Sequence, residues 1–198
     1  MKAALFDVDG VLYDSEEALY LLYKTVLSEH GFEVPAKKEV IKWNGNRAPE
    51  WLKGLGITPT RGLVGEIRRR YAGEFFPKHA ELNEDAIRAV KELRAKGVKT
   101  AVATNQTRGE AKKTLKEVMD LFDFVSTPED CRPKPAPDIL VKALKELGAG
   151  AESAVFVGDT ALDVEAGKAA GVKTIIVARQ YNEGLPNRVH SLSYLTSE

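Results

Sequence analysis

Four aspartates, one lysine and one threonine stand at places in this chain where their side chains could share one reaction. Asp7-Val8-Asp9-Gly10 stops the apolar run Ala3-Ala4-Leu5-Phe6. Thr104-Asn105 ends the run from Val98 to Ala103, and Gly158-Asp159 ends Ala154-Val155-Phe156-Val157. Asp163 follows four residues after Asp159, and Lys134 lies in the proline-stiffened Arg132-Pro133-Lys134-Pro135-Ala136-Pro137. Carboxylates at the end of a buried strand are costly unless a cation offsets them. Mg²⁺ suits such a cluster, because it takes one or two carboxylates together with substrate phosphate. An aspartate neutralised by metal can attack phosphorus. A threonine hydroxyl, backbone N–H groups and a lysine can balance charge on the phosphoryl oxygens. A second aspartate can protonate the leaving oxygen and then activate water.

That chemistry needs the residues on one edge, and the hydrophobic pattern supplies the means. Short apolar runs at 3–6, 98–103, 122–126, 154–157 and 173–178 read as strands. Helical spacing separates them, with Asn83 as a start signal, Pro137 at a helix opening, and Gly97, Gly148 and Gly171 as stops. Alternating strands and helices indicate a doubly wound parallel sheet, which keeps its ligands at the carboxyl ends of its strands. Asp7, Asp9, Thr104 and Asp159 should therefore converge, with Lys134 reaching them from a helix start. The stretch from Tyr13 to Pro77 shows no strand pattern. Asp14 with Glu17 resembles a helix cap, Pro49 opens a helix, and a helix over 61–76 should end at Pro77. The chain thus reads as α/β with an all-helical insertion directly after its first strand.

Composition narrows the classes. The 198 residues are 43% hydrophobic and 29% charged, with zero formal net charge, which suits a globular protein and implies neither nucleic acid nor membrane surface as a partner. The lone Cys131 excludes an internal disulfide and a thiolate metal cluster. Arg68-Arg69-Arg70 reads as a solvated helix face, Trp43 and Trp51 as interior residues of the insertion, and the tail from Arg179 onward as a surface loop. Two residues before the first apolar run leave no room for a targeting segment, so a cytoplasmic location is expected.

Asp7-Val8-Asp9-Gly10-Val11, Thr104-Asn105, Lys134-Pro135-Ala136-Pro137 and Gly158-Asp159-Thr160-Ala161-Leu162-Asp163 resemble, in order, the four motifs of the haloacid dehalogenase superfamily. The resemblance spans the whole chain, since the insertion lies where that superfamily carries its first type of cap. It implies a Rossmann-like core over 1–13 and 80–198 and a helical cap over 14–79, hinged near Leu12–Asp14 and Pro77–Leu82. It also implies Asp7 as nucleophile, Asp9 as general acid and base, and Thr104, Asn105 and Lys134 as phosphate ligands. Mg²⁺ would be held by the Asp7 carboxylate, the Asp9 backbone carbonyl and Asp159, with Asp163 orienting metal-bound water or Lys134.

The activity implied is a Mg²⁺-dependent phosphatase acting on a small phosphorylated metabolite, phosphoglycolate or a sugar phosphate, as a monomer or homodimer. Asp9 argues against dehalogenation, because the haloalkanoic acid dehalogenases lack that second aspartate. Val11, where many members have threonine, leaves open a phosphosugar mutase of the β-phosphoglucomutase type. A receiver-like signalling domain, which also combines clustered Asp with Lys, has no room for the helical insertion. Gly45-Asn46-Arg47 resembles a cap loop that reaches the leaving group in some members; Arg47 either holds a carboxylate or second phosphate there, or starts a helix in solvent.

Overall fold

The computed structural model describes residues 1–196. The chain begins with β1 (Ala3–Phe6), the short β2 (Tyr13–Asp14) and α1 (Glu16–Glu29). Then come α2 (Lys37–Ile41), α3 (Ala48–Gly54), α4 (Arg61–Arg70), a π-helical turn (Tyr71–Phe75) and α5 (Phe76–His79). After β3 (Glu81–Leu82) the alternation starts: α6 (Glu84–Ala95), β4 (Lys99–Ala103), α7 (Arg108–Thr114), β5 (Phe124–Ser126) and α8 (Asp138–Leu147). It closes with β6 (Ala154–Gly158), α9 (Ala161–Ala170), β7 (Lys173–Val177) and β8 (Arg188–Val189).

Six strands form one parallel sheet in the order β5-β4-β1-β6-β7-β8, with β1 in the middle. Side chains on a strand alternate between faces, and β1 shows it. Ala4 and Phe6 join the apolar cluster that includes Ile87, Val90 and Leu93 of α6. Ala3 and Leu5 join another, with Ile139, Leu140 and Ala143 of α8. All four β1 residues are buried, as expected of a strand covered on both faces. Phe6 pairs with Val102 and with Val157, so Asp7, Thr104 and Asp159 emerge along one edge.

Helices α1–α5 pack on one another as the helical insertion. Trp51 is its interior anchor, 2% exposed and stacked on Tyr23 with ring centroids 3.4 Å apart. Its indole N–H donates to Val40 O at 3.2 Å. Deleting a buried Trp costs about 3–5 kcal/mol, so this stack is a principal contribution to the insertion's stability.

Several local expectations are corrected. Asp14 is not a helix cap: Tyr13–Asp14 pairs antiparallel with Glu81–Leu82, and Ser15 stands at the cap position of α1. Both chain crossings between insertion and core thus run through this two-stranded ribbon. Pro77 does not end the helix, which continues to His79. The wider turn at Tyr71–Phe75 precedes it, and Pro77 falls in the first turn of α5. Of the three consecutive arginines only Arg69 is fully solvent-facing. Arg70 is 14% exposed and pairs with Glu29, Glu66 and Glu74. The tail is not merely a surface loop either: Arg188–Val189 joins the sheet edge and Asn182 is buried.

Candidate active site

Lys134 is the hub of the strand-end edge. Its ammonium lies 2.8 Å from Asp7 Oδ2 and 2.8 Å from Asp163 Oδ1, and donates to Ala103 O at 3.1 Å. The residue is only 4% exposed. Burial alone would lower its pKa, but the carboxylates of Asp163 and Asp7 outweigh burial and raise it, so Lys134 stays charged.

Asp163 is fully buried in the first turn of α9. Its Oδ2 accepts from the backbone N–H groups of Asp159 (3.1 Å) and Thr160 (2.9 Å) and from the Thr160 hydroxyl (2.6 Å). Burial pushes its pKa up, but Lys134 and the Thr160 donors bring it below the ordinary value. With its oxygens so engaged, Asp163 acts as a brace for Lys134 and for the turn carrying Asp159.

Asp7 and Asp159 are placed differently. Asp7 Oδ1 accepts from Val8 N–H at 2.8 Å. Burial, moderated by Lys134 and reinforced by Asp163, lifts Asp7 from 3.8 to about 7. Asp159 is raised well above the ordinary value by burial, then by Asp163 and Asp7. Its Oδ1 is buried with no hydrogen-bond partner. Carboxylate oxygens of Asp7, Asp159 and Asp163 lie within 4.8 Å of one another. An orphaned oxygen in a nest of hard oxygen donors, carrying more negative charge than Lys134 offsets, fits a divalent cation such as Mg²⁺.

A pH dependence follows for the metal-free protein. Between the ordinary 3.8 and about 7, folded Asp7 keeps a proton that the unfolded chain has released. Its raised pKa therefore favours the folded state at low pH, and that contribution is lost as pH rises through about 7. Asp159 acts in the same direction. Thermal unfolding of metal-free protein should give a lower Tm at about pH 8 than at about pH 6, with Mg²⁺ raising Tm more at the higher pH. An equal Mg²⁺ effect at both pH values would contradict the assignment.

Thr104 and Asn105 follow β4. Thr104 is 1% exposed, and its hydroxyl accepts from Gln106 N–H at 3.1 Å. The Asn105 amide donates to Gly45 O and to Lys134 O, each at 3.0 Å, and its Oδ1 accepts from Lys134 N–H at 2.9 Å. Asn105 therefore fastens the loop of Gly45 to the segment of Lys134. Asp7, Asp9, Thr104 and Asn105 line a cavity of about 80 Å³ together with Trp51 and Arg47 of the insertion. Arg47 pairs with Glu50 at 2.5 Å and remains one-third exposed.

Sequence reading missed the contribution of the tail. The Tyr181 hydroxyl donates to Asp159 Oδ2, and Asn182 Nδ2 donates to Asp159 O at 2.7 Å. Arg179 donates to Gly10 O through Nε (3.0 Å) and Nη2 (2.9 Å), and pairs with Asp14 at 2.9 Å. Asn182-Glu183-Gly184 announces only a turn locally; its partners are distant in the chain.

Gly10 sits where these groups crowd. Its φ is +72°, and a Cβ there would lie 1.9 Å from Asp159 Oδ2 and 2.6 Å from the Tyr181 hydroxyl. Gly10→Ala should cost roughly 1–3 kcal/mol in backbone strain alone and displace Asp159. Calorimetry should show the lower Tm, and Mg²⁺ should stabilise the variant less than the parent. A variant with parental Tm and Mg²⁺ response would refute the crowding.

The family model described as haloacid dehalogenase-like hydrolase matches residues 4–177, which include every strand-end residue described above. The chain belongs to the haloacid dehalogenase-like hydrolases. A phosphoglycolate phosphatase of Aquifex aeolicus is 32% identical over 193 residues, covering 91% of this chain and 86% of that one. A putative pyrophosphatase PpaX of Caldanaerobacter subterraneus is 31% identical over 181 residues, 89% of this chain and 81% of its own. Among solved structures, a haloacid dehalogenase-like hydrolase from Bacteroides fragilis superimposes with TM-score 0.84 at 24% identity, covering 98% of this chain and 99% of that one. CbbY of Rhodobacter sphaeroides, solved with phosphate, gives TM-score 0.83 at 21% identity over 98% and 96%. These two likenesses bear on the fold, and they match the parallel sheet with its helical insertion. Among the described residues no helix is long and apolar enough to cross a membrane.

Proposed function

We propose that this hydrolase cleaves a small phosphomonoester by way of a phosphorylated Asp7, with Mg²⁺ as cofactor. The observation that carries the reading is the buried Asp7–Lys134–Asp163 ion-pair cluster beside the orphaned Asp159 Oδ1, with Asp7 also lining the cavity shared with Asp9 and Thr104. The working parts are a core of 1–13 and 80–198 and a cap of 14–79.

Asp7 forms the new bond to phosphorus while the bond to the leaving oxygen breaks. The electron pair of that bond takes a proton from the Asp9 carboxyl. Asp9, now ionised, takes a proton from the water that attacks the phosphorus on Asp7, which releases phosphate and restores both residues. Lys134 and the Thr104 hydroxyl balance charge on the phosphoryl oxygens, and the backbone at Asn105 adds a donor. Asp7, Asp159 and the Asp9 carbonyl would hold Mg²⁺, which when bound neutralises the nucleophile and the phosphoryl charge. Asp163 braces Lys134, and the cap excludes bulk water. The names of the relatives support phosphoglycolate as one candidate substrate. Arg47 lines the cavity from the cap loop and would meet the part of the substrate that leaves.

Phosphate release from a panel of phosphorylated metabolites, with and without Mg²⁺, tests the proposal. We expect Mg²⁺-dependent release from a small phosphomonoester. Release from none of the panel, or equal release without the metal, would overturn it.

A further inference from the structure

The Asp9 carboxylate is gripped on both oxygens, and one grip comes from the helical insertion. Oδ1 accepts from the Ser15 hydroxyl at 2.7 Å and from the Tyr71 hydroxyl. Oδ2 accepts from Gln106 Nε2 at 2.8 Å. The two outer donors are themselves fixed. Gln106 is 7% exposed, and its Oε1 accepts from the Thr114 hydroxyl at 2.7 Å, which turns the amide so that its NH₂ faces Asp9. Tyr71 is 5% exposed and meets the Phe76 ring edge-on at 5.6 Å, while Phe76 packs on Tyr13 at 4.8 Å.

The backbone under Tyr71 is unusual as well. Tyr71 opens the π-helical turn, whose extra residue lets Phe75 and Phe76 both bury behind it. Single π turns inside α-helices concentrate at functional sites. A buried tyrosine hydroxyl needs a partner, but any backbone carbonyl would have served. Here it is aimed at a carboxylate that lines the cavity.

We propose that Tyr71 and Gln106 are positioning residues that hold the Asp9 carboxyl on the leaving-group oxygen. The inference rests on the reading of Asp9 as the proton donor. Holding a reacting group in its productive rotamer contributes to rate through orientation already achieved before reaction. The contribution should appear only where the leaving oxygen needs a proton. A basic phenolate needs one as the P–O bond breaks, whereas p-nitrophenolate departs without it.

The test compares kcat/KM for phenyl phosphate and p-nitrophenyl phosphate in Mg²⁺-loaded protein, because kcat/KM reports steps up to leaving-group departure. Tyr71→Phe removes only a hydroxyl and keeps the ring packing; Gln106→Met keeps length and removes the donor. The ratio of phenyl to p-nitrophenyl kcat/KM should fall about 10-fold or more in each variant. An unchanged ratio, whether absolute rates fall together or stay parental, would overturn the inference, since a merely structural loss affects both esters alike. Should Tyr71→Phe fail to fold, Gln106→Met reads the same ratio from the core side. Failure of the underlying reading looks different: the parent protein would then release phosphate from neither ester and from no metabolite of the panel with Mg²⁺ present.

Discussion

Asp7→Asn should reduce turnover by about 10⁴-fold or more and leave the protein folded. The amide keeps the shape of the side chain and its acceptor for Val8 N–H, which donates at 2.8 Å. What it loses is the nucleophile, with the covalent route that divides one hard displacement into two easier ones, and the oxygen that pairs with Lys134 at 2.8 Å, while Lys134 keeps its pair with Asp163. Stability should hold, because ionised Asp7 is expensive where it stands: burial lifts it to about 7 despite Lys134. Replacing it also removes repulsion with Asp159 and Asp163. Metal-free Asp7→Asn should therefore unfold at a Tm no lower than the parent's at about pH 8. Residual turnover within about 100-fold of the parent would take the nucleophile role away from Asp7.

Lys134→Met should have the largest effect on stability. The methionine fits the space, but Asp7 and Asp163 would then face each other without the ammonium that lies 2.8 Å from each. Breaking a buried ion pair by removing one partner costs about 3–5 kcal/mol. For a chain of this length that is a Tm loss of roughly 10 °C. Activity should fall as well, since the same ammonium faces the phosphoryl group in the proposed reaction. Mg²⁺ should recover part of the lost stability and little of the activity. Urea unfolding of parent and variant, with and without Mg²⁺, measures this; a loss below about 1 kcal/mol in the metal-free protein would show that Lys134 is not the charge that holds the cluster.

The central strands were legible because burial on both faces leaves continuous apolar runs. The register of Phe6 with Val102 and Val157 then brings Asp7, Thr104 and Asp159 to one edge. Asn83, Gly148 and Gly171 marked helix ends correctly because capping is local chemistry. Two-residue strands carry no periodicity, so Asp14 read as a cap and Glu81–Leu82 went unnoticed. Pro77 read as a terminator because sequence spacing does not reveal a π turn just upstream. The hardest residues were those acting across distance. Gln106 is 97 positions from Asp9, Tyr71 is 62, and Tyr181 is 22 from Asp159. Nothing in their neighbours' identities announces those partners. Asn105, expected beside the phosphate, spends its side chain on joining Gly45 to Lys134.

The stereochemical course at phosphorus tests the covalent route most directly. Hydrolysis of a phosphorothioate ester made chiral with two oxygen isotopes, in water carrying the third, yields thiophosphate whose configuration records the number of in-line displacements. Transfer to Asp7 followed by attack of water is two, so the configuration at phosphorus should be retained. Inversion would mean that water attacks the substrate directly, and that Asp7 serves the metal without ever carrying the phosphoryl group.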